Sequence, residues 1–147
     1  MNTEVLKSYG IHVIDNPLHL DAYRRDLWPR DTLSMYKEGR VPPSPALVVA
    51  PRNPTQVAQS IRWAESEGLS VVPYGAGSGV CGGARGRKNS LVIDMKRMNR
   101  VLRIDTKNQT VHVQSGILGQ HLEDLLERLL GVDIEDEKDT NVSMRRL

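Results

Sequence analysis

Residues 71–94 read VVPYGAGSGVCGGARGRKNSLVID, and half of the chain's 12 glycines fall between Gly75 and Gly86. Short apolar, β-rich runs border this segment, Val71 to Pro73 on one side and Leu91 to Ile93 on the other, so both ends are expected to be fixed in a sheet. A backbone stripped of side chains can take left-handed φ values and approach a ligand closely, and successive N–H groups in such a turn form a concave nest for anions. The composition PYGAGSGVCGG therefore suggests a phosphate cradle, with Ser78 as an extra hydroxyl donor. A flexible surface connection without a ligand is the other reading of the same composition.

Two familiar phosphate loops can be set aside. The P-loop needs GK[ST], which is absent from the chain. Gly77, Gly79 and Gly82 do fit G-x-G-x-x-G after a strand, but that fingerprint works when its glycines open a helix facing the pyrophosphate. Here GARGRKNS follows, with no helical periodicity before the next strand.

Working upstream, Asn53 suits an N-cap, Pro54 the first helical position, and Val57, Ile61 and Ala64 a buried stripe that stops at Gly68. Before it, RVPPSP forces an extended path into ALVVA, a short strand bounded by Pro51. Strand, helix and strand in this order predict two parallel strands. The segment from Met1 to Arg40 reads as irregularly helical, with Leu20, Tyr23 and Leu27 on one face and a break expected at Pro29. Downstream, LVIDM predicts a third strand, and VLRIDTKNQTVHVQSG a hairpin turning at Lys107 and Asn108. Leu118, Leu122, Leu125, Leu126 and Leu129 then mark an amphipathic helix, with Ser115 and Gly116 at its mouth.

Composition narrows the function classes. At 147 residues and 39% apolar content the chain can bury one core. Its 20 basic and 18 acidic residues leave a net charge of +2, too little to argue for a nucleic-acid or membrane surface. Cys81 stands alone, and His12, His19, His112 and His121 are scattered without a metal-binding pattern, so no metal site is expected. Neither a secretory signal nor a run long enough to span a bilayer is read from the sequence, which places the protein in the cytoplasm. Cys81 reads as a small apolar filler and Trp63 as a packing residue; Arg85, Arg87 and Lys88 read as a solvated turn, with a lean toward phosphate oxygens as the other reading.

The collinear order PPSPALVVAP, PTQVAQSIRWAESEGLSVVPYGAGSGVCGG and SLVIDMKRMNRVLRIDTKNQTVHVQSGILGQHLEDLL resembles the amino-terminal part of the PCMH-type (vanillyl-alcohol oxidase type) FAD-binding family. Within it, the nearest likeness is to glycolate oxidase-like FAD-linked oxidases and alkyl-dihydroxyacetone-phosphate synthases. The resemblance implies an α+β fold: a partial FAD-binding subdomain at 46–130, preceded by a helical or extended segment at 1–45 and followed by a tail at 131–147 expected to be disordered. It implies FAD as cofactor, with the pyrophosphate loop on Pro73, Tyr74, Gly75, Ala76, Gly77, Ser78 and Gly79, completed by Gly82 and Gly83. Gly116 matches the family's glycine near the cofactor, although turning into the next helix would also explain it. Ser78 stands where some relatives carry a flavin-tethering histidine, so the implied FAD is non-covalent. The expected function is the FAD-binding portion of an oxidoreductase acting on a hydroxy acid or related alcohol, truncated before the substrate domain, with no catalytic residue of its own. A complementing chain or a homo-oligomer would then be the partner. A non-catalytic remnant or interaction subunit is the alternative.

Overall fold

The computed structural model describes residues 1–130, and the expected tail at 131–147 lies outside them. The chain divides into two units, Met1–Met98 and Asn99–Leu147.

In the first unit, α1 (Glu4–Ser8) leads into β1 (His12–Ile14), then α2 (Pro17–Leu20) and a 3-10 turn at Asp21–Tyr23. Helix α3 (Pro29–Glu38) begins at the proline that was expected to end a helix: Pro29 occupies the first turn, where its missing N–H costs nothing. Strand β1 was not anticipated, because three residues are too few to show a period. Next come β2 (Leu47–Ala50), α4 (Pro54–Ser66), β3 (Ser70–Tyr74) and β4 (Ser90–Asp94). The start of α4 follows the sequence signal, since the Asn53 side chain accepts from Gln56 N–H at 2.9 Å.

The strands form one sheet in the order β1-β2-β4-β3. Strands β2 and β3 both run parallel to β4, and β1 is antiparallel to β2. The strand-helix-strand unit is therefore parallel as expected, but β4 inserts between its two strands. Nothing local in the sequence encodes that insertion. Both faces of the central strands are covered, which is why LVVA and LVI read as unbroken apolar runs rather than alternating ones. Leu47, Val49, Leu91 and Ile93 pack with Leu6, Ile11, Trp63 and Ala64 on one face. Val48, Val72 and Val92 pack with Leu20, Tyr23 and Tyr74 on the other. Helix α4 turns Ser60, Trp63 and Ala64 inward, while Ile61 from the expected stripe stays exposed. Pro73 is tolerated because β3 is an edge strand, where one side of the backbone needs no ladder donor.

The second unit holds the hairpin β5 (Val101–Asp105) and β6 (Thr110–Val113), then α5 (Gly119–Leu130). The Asp105 carboxylate closes the turn by accepting from Asn108 N–H at 3.0 Å, and the bonds from Asn108 hold its pKa below the ordinary carboxylate range. Gly116 is buried in the connection between β6 and α5.

Candidate functional site

Tyr74 and Asp94 are register partners at the carboxyl ends of β3 and β4. The glycine-rich loop, residues 75–89, leaves the sheet at that end, the side on which open parallel sheets bind their ligands. The structure brings Pro73, Tyr74, Gly75, Ala76, Gly77, Ser78, Gly79, Gly82 and Gly83 into this one stretch. Gly116 lies in the other unit.

The loop is held in place rather than hanging free. Leu27 N–H donates to the Gly79 carbonyl at 2.9 Å, and Gly86 N–H donates to the Tyr23 carbonyl at 2.9 Å. Between them, the buried Asp26 carboxylate accepts from Trp28 N–H at 3.0 Å and from Ala84 N–H at 3.4 Å. The stretch from Tyr23 to Trp28 thus fastens both arms of the loop. Such fixed arms argue against the flexible-connection reading.

Two glycines take this path through the left-handed region. Gly77 has φ +70° and Gly82 φ +77°, both left-handed. A Cβ at Gly77 would run into the Tyr74 phenol, 2.7 Å from its Cζ, and a Cβ at Gly82 would lie 2.7 Å from Trp28 Cε3. Among the described residues, no backbone N–H from Ala76 to Gly83 donates to a protein acceptor. The loop therefore offers a series of free amide donors on a fastened, side-chain-poor backbone, the donor set that suits a diphosphate. Ser78 is exposed and adds its hydroxyl, and Cys81 is likewise exposed rather than a buried filler.

A polar cluster backs the start of the loop. Tyr23 Oη donates to Asp94 Oδ2 at 2.7 Å, and Lys96 Nζ lies 3.2 Å from the same oxygen. The Tyr23 and Tyr74 rings meet edge to face at 4.9 Å, and the Lys96 ammonium sits 5.3 and 5.4 Å from their centroids. The Tyr74 hydroxyl that walls Gly77 is thereby fixed by its own neighbours. Of this cluster, the sequence flagged Tyr74 alone as a site residue. Asp94 did carry a signal, since an acid closing a strand buried on both faces must find partners. Asp26 carried none, because its loop contact is 58 residues away in sequence.

Burial, reinforced by donation to the Asp94 carboxylate, pushes the Tyr23 hydroxyl well above the ordinary tyrosine range. Its protonated form is favoured in the fold. That contribution is intact below the unfolded-chain value of about 10 and is lost as pH rises beyond it toward the folded value. A Tyr23→Phe variant is therefore expected to be less stable than the parent at about pH 8, with the gap narrowing above about pH 10. Urea midpoints across that range check it, and a gap that stays constant would contradict the assignment.

Among the described residues there is no cluster of metal-ligating side chains and no helix long and apolar enough to cross a membrane.

The FAD binding domain family matches residues 45–142 of the chain. An uncharacterized FAD-linked oxidoreductase of Mycobacterium tuberculosis (strain ATCC 25618 / H37Rv) is 41% identical over 76 residues, 52% of this chain and 17% of the relative. Glycolate oxidase subunit GlcD of Bacillus subtilis (strain 168) is 35% identical over 74 residues, 50% of this chain and 16% of the relative. Among solved structures, an alkyldihydroxyacetonephosphate synthase superposes with a TM-score of 0.69 at 29% identity, covering 80% of this chain and 22% of that one. The chain thus spans less than a quarter of each of these proteins.

Proposed function

The chain belongs to the PCMH-type FAD binding domain family, and from that premise we propose that its loop from Pro73 to Gly83 holds the FAD diphosphate in an oxidoreductase acting on a hydroxy acid or related alcohol. The observation that carries the reading is the fastened loop with free amides from Ala76 to Gly83. Pro73 and Tyr74 launch the chain from the edge strand, Gly77 and Gly82 make the left-handed turns, and Ser78 adds a hydroxyl donor. Gly79 and Gly83 let the backbone approach the phosphates, and Gly75 and Ala76 present the first amides. Gly116 is assigned a place close to the same cofactor, on the family likeness alone.

When bound, FAD supplies hydride acceptance from the substrate carbon. The residues of this chain bind and orient it. Among the described residues none is assigned to proton transfer or to substrate. The hydroxy-acid class is supported by the likeness to glycolate oxidase subunit GlcD. Ser78 carries no imidazole with which to tether the flavin, so attachment there is non-covalent.

Holding a dinucleotide by one loop secures the diphosphate and leaves the flavin ring for other segments to cover, so the ordering cost of the ligand is incompletely offset. Calorimetric titration of the 147-residue chain with FAD is expected to give one-to-one binding weaker than about 1 μM, with ADP competing. Binding at or below that value would contradict the half-site reading. Failure of ADP to compete would contradict the diphosphate contact itself.

A further inference from the structure

Beside the loop's exit, a cavity of about 350 Å3 lies between the start of α3, the Arg40–Pro43 segment and Arg85–Arg87. We propose that this cavity is a second binding site, for a small phosphate ester, distinct from the amides of the glycine loop.

Charge carries the first part of the argument. Arg30, Arg40, Arg85 and Arg87 all line the cavity, with Asp31 as the acid among the lining residues. Arg85 is already committed, its Nη1 donating to Asp31 Oδ1 at 2.7 Å. Arg40 meets Glu38 at 3.8 Å on the open surface, a contact of little worth. Among the described residues, Arg30 and Arg87 pair with no carboxylate. Several guanidiniums around one hollow repel one another, and a dianion relieves that repulsion. The planar guanidinium fork matches a phosphate's paired oxygens.

Rigidity carries the second part. The Arg30 and Arg85 guanidiniums lie 5.5 and 5.4 Å from the Trp28 ring centroid, which limits their rotamers before any ligand arrives. Asp31 is 6% exposed and its second carboxylate oxygen has no partner, so Arg85 is anchored by an ion pair held at an electrostatic cost. A solvated turn, as the sequence alone suggested for Arg85 and Arg87, would carry no such cost.

Shape carries the third. Trp28, Val41, Pro42 and Pro43 give the cavity an apolar wall against which an organic body can pack. The volume sits at the lower end of small-molecule sites, which suits the ester of a small alcohol and excludes a whole dinucleotide. The proposal uses side chains rather than loop amides, so it stands or falls independently of the FAD reading.

Phenyl phosphate and inorganic phosphate serve as probes, each titrated at constant ionic strength while the Trp28 indole N–H is followed by NMR. Phenyl phosphate is expected to shift that signal saturably and to bind several-fold more tightly than inorganic phosphate. The exposed pair Arg30→Ala and Arg87→Ala, combined in one folded variant, is expected to weaken its binding by about tenfold or more, as the loss of two charge-assisted contacts implies. The proposal is overturned if phenyl phosphate gives no saturable shift, if it binds no better than inorganic phosphate, or if the double variant binds unchanged.

Discussion

Replacing Gly77 with alanine is expected to weaken FAD binding by about tenfold or more while leaving the chain folded. A left-handed backbone costs an L-residue roughly 1–2 kcal/mol, and about 1.4 kcal/mol is already a factor of ten. The new methyl would also press on the Tyr74 phenol, which cannot swing aside because Tyr23 and Lys96 pack against its ring. The chain's cheapest escape is to move the loop, and moving the loop misaims the amides that follow Gly77. Gly39→Ala is the comparison: it also sits at a left-handed φ of +62°, with nothing within 4 Å of the added carbon. It should carry the backbone cost alone and keep parental FAD affinity. Fluorescence titration of both variants with FAD decides the matter, and equal affinities would remove Gly77 from the site.

The second large effect is on stability. Asp94→Ala is expected to cost about 2–4 kcal/mol, the range for stripping a buried acceptor from charged and hydrogen-bonded partners. The carboxylate is 4% exposed and gathers the Tyr23 hydroxyl, Lys96 N–H at 3.0 Å and the Lys96 ammonium. Truncation leaves the Tyr23 hydroxyl and the Lys96 N–H without their acceptor at the end of β4. Asp94→Asn keeps an oxygen for that hydroxyl and should cost distinctly less. Urea denaturation of the three proteins tests the order, and a loss below about 1 kcal/mol for alanine would mean that the cluster contributes little to the fold.

Much of the scaffold was legible because its signals are local. The Asn53 cap, Pro54, the left-handed Gly68 and the runs around Val48 and Val92 all announce elements within a turn or two of themselves. The glycine loop was equally plain in composition. What the sequence withheld are the contacts that make the loop a site. Strand β4 enters between β2 and β3, and the stretch from Tyr23 to Trp28 reaches across to Gly79, Ala84 and Gly86. Those loop contacts join residues more than fifty positions apart, and no periodicity encodes them. Pro29 shows the same limit on a smaller scale, since proline stops a helix from within and starts one from its first turn. Likewise Arg85 looked like a turn residue because its partner Asp31 lies 54 positions earlier.

The same FAD titration, followed through the backbone amide signals of isotopically labelled protein, tests the central claim most directly. The amides from Gly75 to Gly83 are expected to move together and to saturate with one FAD, and ADP is expected to move the same set. Should FAD instead leave that stretch unchanged while shifting signals elsewhere, the loop is a connection between β3 and β4 and the cofactor is held by other residues.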